Sequence, residues 1–215
     1  MPLDLALIGL AHPERAGAEA FVRTVYARTY GARLVSFYPV LLRITRPDGS
    51  YIAVAGIRPA GGQVLFSEYY LPRPIEMMLG TERCRIVEVG NLAPASAGQT
   101  RWLIGAVTAF LAGGGFSNVV FTAVPRLKNA FSRMGLPLVR LANARPDSLP
   151  DGQTQDWGSY YEQDPAVFSG DILLGFRAFT RFMTTRPELC NILQQAHAAG
   201  AVFANRSASP VPTDA

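Results

Sequence analysis

Residues 85 to 111, RIVEVGNLAPASAGQTRWLIGAVTAFL, constrain the fold more than any other stretch of the chain. Ile86, Val87 and Val89 give a buried strand over 84–91, followed by a small-residue loop over 92–99 and an apolar helix over 100–112. Gly113-Gly114-Gly115 ends that helix, and the β-branched run NVVFTAV (118–124) returns as a second buried strand. A strand–helix–strand unit of this length is a crossover connection within one sheet. Gly98, Gln99 and Thr100 stand at the helix entrance, where free N–H groups and the helix dipole suit a phosphate-bearing ligand. The same residues also suit an ordinary strand-to-helix connection, and the segment alone leaves both open.

The flanking sequence supplies the other elements. LDLALIGL (3–10) reads as a strand, and His12-Pro13-Glu14 opens a helix carried by Phe21, Val22, Val25 and Tyr26 to about Tyr30. The runs 39–46 and 51–58 flank Pro47-Asp48-Gly49-Ser50, a hairpin whose Asp-Gly pair provides positive φ. Residues 63–71 read as a third meander strand, and a short helix over 74–79 stops at Gly80. Further on come a helix over 125–136, a strand over 137–143, and a long loop over 144–156. Then follow an aromatic-rich segment from Trp157, leading into a helix-like stretch, and a helix over 186–200. Antiparallel pairing at the front and a crossover at the back imply an α/β (α+β) fold with a mixed, mostly antiparallel sheet and flanking helices. One domain is expected over 1–203, with 204–215 a disordered tail by composition.

At 49% hydrophobic and 17% charged, the 215 residues can bury a real core. A net charge of +4 without a Lys/Arg run excludes nucleic acid as the expected partner. Lys128 is the single lysine, so the positive charge is almost all arginine, which suits phosphate and carboxylate but also follows from a GC-rich genome. Cys84 and Cys190 form no CxxC pair and, with only His12 and His197 beside them, no zinc site is expected; both read as buried, reduced residues. The N-terminus lacks a basic n-region, and no segment approaches the ~20 apolar residues that span a bilayer. A cytoplasmic protein is expected, with peripheral membrane contact left open.

IVEVGNLA (86–93), VVFTAVPRLKNAFSRMGL (119–136), WGSYYEQDPAVFSGDI (157–172) and LFSEYYL (65–71) together resemble the thermostable hemolysin family, over about residues 15–178. The element order is also similar to the GNAT acyltransferases, and among them to the acyl-homoserine-lactone synthases. That resemblance implies splayed central strands with pantetheine in the gap, and a loop that wraps the pyrophosphate, or the carrier-protein phosphate, at a helix N-terminus. It implies donor contacts from Asn91, Leu92, Ala93, Gly98, Gln99, Thr100 and Arg101, with Asn129 of KNAF turned toward the donor. The acetyltransferase loop pattern Gln/Arg-x-x-Gly-x-Gly/Ala is missing, which points away from acetyl-CoA. An acyl carrier protein's acyl-phosphopantetheine or a long-chain acyl-CoA is then the expected donor, as substrate rather than as a tightly bound cofactor, with a small amine such as an amino acid as acceptor.

Glu88, between Ile86, Val87 and Val89, is a carboxylate that is costly to bury without a partner or a task. The resemblance makes it the amine's general base or binding partner; a salt bridge to an arginine such as Arg58 is the structural alternative. Asn91 either holds a carbonyl or forms a turn. Glu68, Tyr69 and Tyr70 are candidates for the acceptor pocket, with the Tyr70 hydroxyl as acid for the leaving thiolate; a strand edge with amphipathic aromatics is the plainer reading. Phe121, Trp157, Tyr160 and Tyr161 are candidates for the acceptor or acyl pocket, against simple core packing. Arg101 and Arg126 sit at helix starts where a cation opposes the dipole, so a phosphate partner is favoured. No G-x-S-x-G elbow supports serine hydrolysis. The expected function is acyl transfer from a thioester to an amine. A membrane-active hemolysin without catalysis, or a binding module that has lost the chemistry, are the alternatives.

Overall fold

The hairpin around Pro47-Asp48-Gly49-Ser50 forms as expected: the Asp48 carboxylate accepts the Ser50 N–H at 2.9 Å and Gly49 takes φ +80°. It joins β2 (Val40–Thr45) to β3 (Tyr51–Pro59). The computed structural model describes residues 3–150, 156–183 and 187–208. The other strands are β1 (Asp4–Ile8), β4 (Ile86–Pro94), β5 (Asn118–Ala123), β6 (Val139–Asn143) and β7 (Ala166–Asp171). They form one seven-stranded sheet in the order β1-β2-β3-β4-β5-β7-β6, antiparallel except where β4 and β5 run parallel across the crossover. The helices are α1 (Arg15–Tyr30), α2 (Ile75–Leu79), α3 (Thr100–Gly113), α4 (Pro125–Arg133), α5 (Ile172–Met183) and α6 (Pro187–Ala208).

Four sequence expectations change. Residues 63–71 do not make a strand: Phe66–Tyr70 form a 3-10 turn, because the buried Glu88 and the half-buried Glu68 capture the amides a strand would have offered to a neighbour. A strand was missed at Ala166–Asp171, where five consecutive buried residues leave no alternation to detect. Cys84 and Cys190 are exposed, on a short turn before β4 and on α6. The last helix runs on to Ala208, and the rest of the expected tail, like residues 151–155 of the long loop, lies outside the described residues.

The sheet is covered on both faces. Val87, Val89 and Phe121 point to one face, where α3, α5 and α6 close the largest core around Phe110 and Phe179. On the other face, Ile86 and Val120 pack under the 66–70 turn and α2, while Val54 and Ala93 pack under α1. Among the described residues, no helix is long and apolar enough to cross a membrane.

Helix α6 lies against α3 at a distance that only glycine permits. A Cβ on Gly200 would collide with the Phe110 carbonyl oxygen, and one on Gly113 with the His197 carbonyl oxygen. These obstacles are backbone, so no rotamer change relieves them. Gly200→Ala is expected to lower stability by at least about 1–3 kcal/mol, read as a shift of the urea unfolding midpoint. An unchanged midpoint would show that the helices have room to part.

Candidate active site

Strands β4 and β5 are paired over three residues only: Ile86, Val87 and Glu88 lie opposite Asn118, Val119 and Val120. Among the described residues no pair joins them further, so a gap opens beyond Glu88. Asn91 shapes its β4 side. Its φ of +48° and a register shift against β3 between Val54 and Gly56 form a bulge, with Asn91 and Leu92 opposite the single Ala55. The bulge shifts the alternation by one residue, so Leu92 packs with the α3 core and Ala93 with the α1 core. The Asn91 side chain is engaged as well, its Oδ1 accepting the Tyr38 N–H at 3.0 Å.

A cavity lies on each face of this gap, and Val89 lines both. The apolar one, about 40 Å³, is walled by Leu92, Ile104, Val107, Phe121, Phe131 and Ile172 under α3, α4 and α5. The other, about 210 Å³, is walled by polar and aromatic groups: Arg58 of β3, Thr122 of β5, Tyr38, Phe66, Tyr69, Tyr70, Trp157 and Tyr160.

Glu88 is 1% exposed and lies next to Val89 on β4 and opposite Arg58 on β3, both of which line the second cavity. Its Oε2 accepts the Phe66 N–H at 3.0 Å and its Oε1 the Ser67 N–H at 2.6 Å, so the carboxylate anchors the 3-10 turn. Arg58 Nη1 is 3.8 Å away, close enough to offset charge but too far for a hydrogen bond. Burial pushes the Glu88 carboxyl above its ordinary value, against the pull of Ser67, Phe66 and Arg58. Arg58 also lies over the Tyr38 ring, 4.2 Å from its centroid. Burial raises the Tyr38 phenol, and the Glu88 charge raises it further.

The Tyr70 and Tyr161 hydroxyls are 2.6 Å apart, and burial followed by that contact drives the Tyr70 phenol far up, so it stays protonated. Two donors on the cavity wall have no acceptor: Arg58 Nε and Trp157 Nε1 are buried and unpartnered. The turn's other carboxylate, Glu68, faces away from the cavity. It accepts the Leu65 N–H at 2.8 Å and the Ile75 N–H at 3.0 Å, and pairs with Arg83 at 2.6 Å.

The structure thus gathers Tyr70, Tyr69, Asn91, Trp157 and Tyr160 around one cavity, with Glu88 buried behind its Arg58 and Phe66 wall, and places Leu92 and Phe121 on the other. Ala93 is buried against α1. Gly98 and Gln99 form the 3-10 turn that leads to Thr100 and Arg101 at the head of α3, whose N-terminus has no side-chain cap. Gln99 Oε1 is buried without a partner there. Asn129, Arg101 and Arg126 are exposed. Sequence reasoning passed over Tyr38. Its signal was Gly56 opposite Gly90 on adjacent strands, since a Cβ at Gly90 would lie 2.6 Å from the Tyr38 ring.

Two outcomes are expected. Burial alone would raise the Glu68 carboxyl, but Arg83 and the Leu65 and Ile75 amides outweigh it and hold it at about 2, against an ordinary 4.5. Its contribution to stability is therefore full above pH 4.5 and fades as pH falls toward 2. Denaturant unfolding across that range should fall more steeply for the wild type than for Glu68→Gln; parallel curves would remove the assignment. Gly90→Ala should destabilise by about 1–3 kcal/mol, and less so in a Tyr38→Ala background, a non-additivity that a double-mutant cycle reads.

Comparison with known proteins agrees with this geometry. The model of the thermostable hemolysin family matches residues 8–176, and the chain belongs to that family. No curated protein matches the sequence. Among solved structures, BjaI, a CoA-dependent acyl-homoserine lactone synthase solved with SAM and isopentyl-CoA, superposes with a TM-score of 0.60 at 12% identity, covering 90% of this chain and 98% of its own. TofI, in a ternary complex with an inhibitor and MTA, gives 0.57 at 15% identity, covering 82% and 97%. FeeM, an N-acyl amino acid synthase from uncultured soil microbes, gives 0.53 at 16% identity, covering 80% and 93%. At these identities the likeness establishes the fold, a GNAT-like domain with an open mixed sheet.

Proposed function

We propose that this member of the thermostable hemolysin family transfers an acyl group from a thioester, acyl-CoA or acyl carrier protein, to the nitrogen of a small amine. The observation that carries the reading is the gap between β4 and β5, with an apolar cavity on one face and a polar, aromatic one on the other. The acyl chain lies under α3 against Phe121 and Leu92, and the thioester carbonyl sits in the gap. The donor's phosphate lies at the uncapped head of α3, near Gly98, Gln99, Thr100 and Arg101, with Asn129 and Arg126 flanking it. At about 40 Å³ the apolar cavity admits a long chain only if its Leu and Phe side chains shift.

In the reaction the neutral amine attacks the thioester carbonyl carbon, a C–N bond replaces the C–S bond, and the proton lost by nitrogen balances the one taken by the departing thiolate. Backbone N–H groups beside the Asn91 bulge stabilise the oxyanion. Glu88 takes the amine proton through one intervening water, its raised affinity for protons suiting that task. The Tyr70 hydroxyl, held protonated beside Tyr161, donates a hydrogen bond to the departing thiolate, which takes up its proton from solvent. An acyl thioester donor is a cytoplasmic metabolite, and an amphiphilic N-acyl product would lyse membranes without a pore.

Incubating the protein with acyl-CoA or acyl carrier protein and a panel of amines should yield a new N-acyl compound by mass spectrometry. Glu88→Gln should lower its rate by about 10²–10⁴-fold. Vesicle lysis by purified protein without any product would favour the lytic reading instead.

A further inference from the structure

The polar cavity holds a more specific message than room for an amine. Arg58 and Trp157 both line it, and both keep a buried N–H donor without an acceptor, Nε of one and Nε1 of the other. A buried donor left unmet costs free energy, so two on one cavity wall indicate that a ligand supplies the acceptors. Glu88 stands behind the same wall, its carboxylate 3.8 Å from Arg58 Nη1. Arg58 thus lines the space itself, and the Glu88 charge lies just behind it without neutralising it in a tight pair.

We infer that the acceptor is a free α-amino acid with an apolar or aromatic side chain, its carboxylate bound by Arg58 Nε and Trp157 Nε1 and its amino group set toward Glu88. This inference rests on the acyl-transfer reading and names the substrate class of that site. The carboxylate meets the two N–H donors, and Arg58, held over the Tyr38 ring at 4.2 Å, offers Nε from a plane fixed by that contact. The side chain meets the rings of Phe66, Tyr69 and Tyr160. The size of the cavity, about 210 Å³, falls below the ~300–1,000 Å³ of pockets that take drug-sized ligands, so a free amino acid suits it better than one carrying a nucleoside. Tyr38 and Tyr160 stay neutral because burial raises both phenols, so neither repels the carboxylate. The bond made is the amide between the amino nitrogen and the acyl carbon; the carboxylate is unchanged and leaves as that of an N-acyl amino acid.

The test compares matched pairs that differ only in the carboxylate: L-phenylalanine with phenethylamine, and L-leucine with isoamylamine. Titration calorimetry without donor, and kcat/KM with acyl-CoA, are each expected to favour the amino acid at least about tenfold. Trp157→Phe, which removes the N–H and keeps a ring, and Arg58→Lys, which keeps the charge and removes Nε, should each shrink that ratio severalfold. Thermal melts confirm that the variants are folded. The inference is overturned if the amine matches the amino acid in the wild type, if neither ligand binds, or if the ratio survives both substitutions. Should amino acids bind with the expected preference while no thioester yields product, the catalytic reading fails and this binding site stands. Should both partners of a pair be acylated equally, the reverse holds.

Discussion

A single buried carboxylate organises one whole face of this molecule. Glu88 is 1% exposed in the middle of β4, and it takes two backbone N–H groups from a segment more than twenty residues away in sequence. Those bonds hold residues 66–70 as a 3-10 turn over the sheet instead of a strand within it. The turn in turn carries Phe66, Tyr69 and Tyr70 to the cavity wall. Glu68 fastens the turn's other side to α2 and Arg83. Removing Glu88 would leave buried donors unmet, a cost of the same order as a sizeable share of a domain's net stability. Position and chemistry therefore both depend on one side chain.

The opposite cover relies on contact distance instead of charge. Helices α3 and α6 meet through Gly113 and Gly200, where backbone rather than side chains touch. This rigid pair backs the strand that carries Val87 and Val89, so the gap beyond Glu88 opens against a fixed wall. The bulge at Asn91 then redirects the strand's alternation, giving Leu92 to one face and Ala93 to the other. One residue of extra length thus sets which face each residue beyond Asn91 serves.

How much of this was legible in sequence depends on whether the deciding forces were local. The Asp48-Gly49 hairpin, the crossover from Ile86 to Ala123, the Pro125 helix start and the Gly80 stop all rest on turn chemistry or periodicity within a few residues, and all appear where the sequence places them. The strand at Ala166–Asp171 did not announce itself, because it is buried on both faces between β5 and β6 and includes Ser169 and Gly170. LFSEYYL reads as a strand by composition, and the distant Glu88, acting through tertiary contact together with the turn's own Glu68, makes it a turn. Of the site, Glu88 was visible as a charge in an apolar run, whereas Tyr38 was not, since its task depends on two glycines that become neighbours only in the sheet.

The two readings of Glu88 offered by sequence, a catalytic base or a salt bridge with Arg58, treat its burial as a cost to be explained by one partner. The structure distributes the compensation over three. Two amides oppose what desolvation takes away, and Arg58 at 3.8 Å adds attraction without a hydrogen bond. A tight Arg58–Glu88 pair would have satisfied both groups and left a stable but unreactive wall. The longer separation leaves burial as the largest influence on the carboxyl and leaves Arg58 Nε unpartnered beside the cavity. Incomplete pairing is thus the property that distinguishes this wall from an ordinary ion-paired core. It persists because the amides of the 66–70 turn keep the carboxylate in place without Arg58's help, so Arg58 remains free to bind something else.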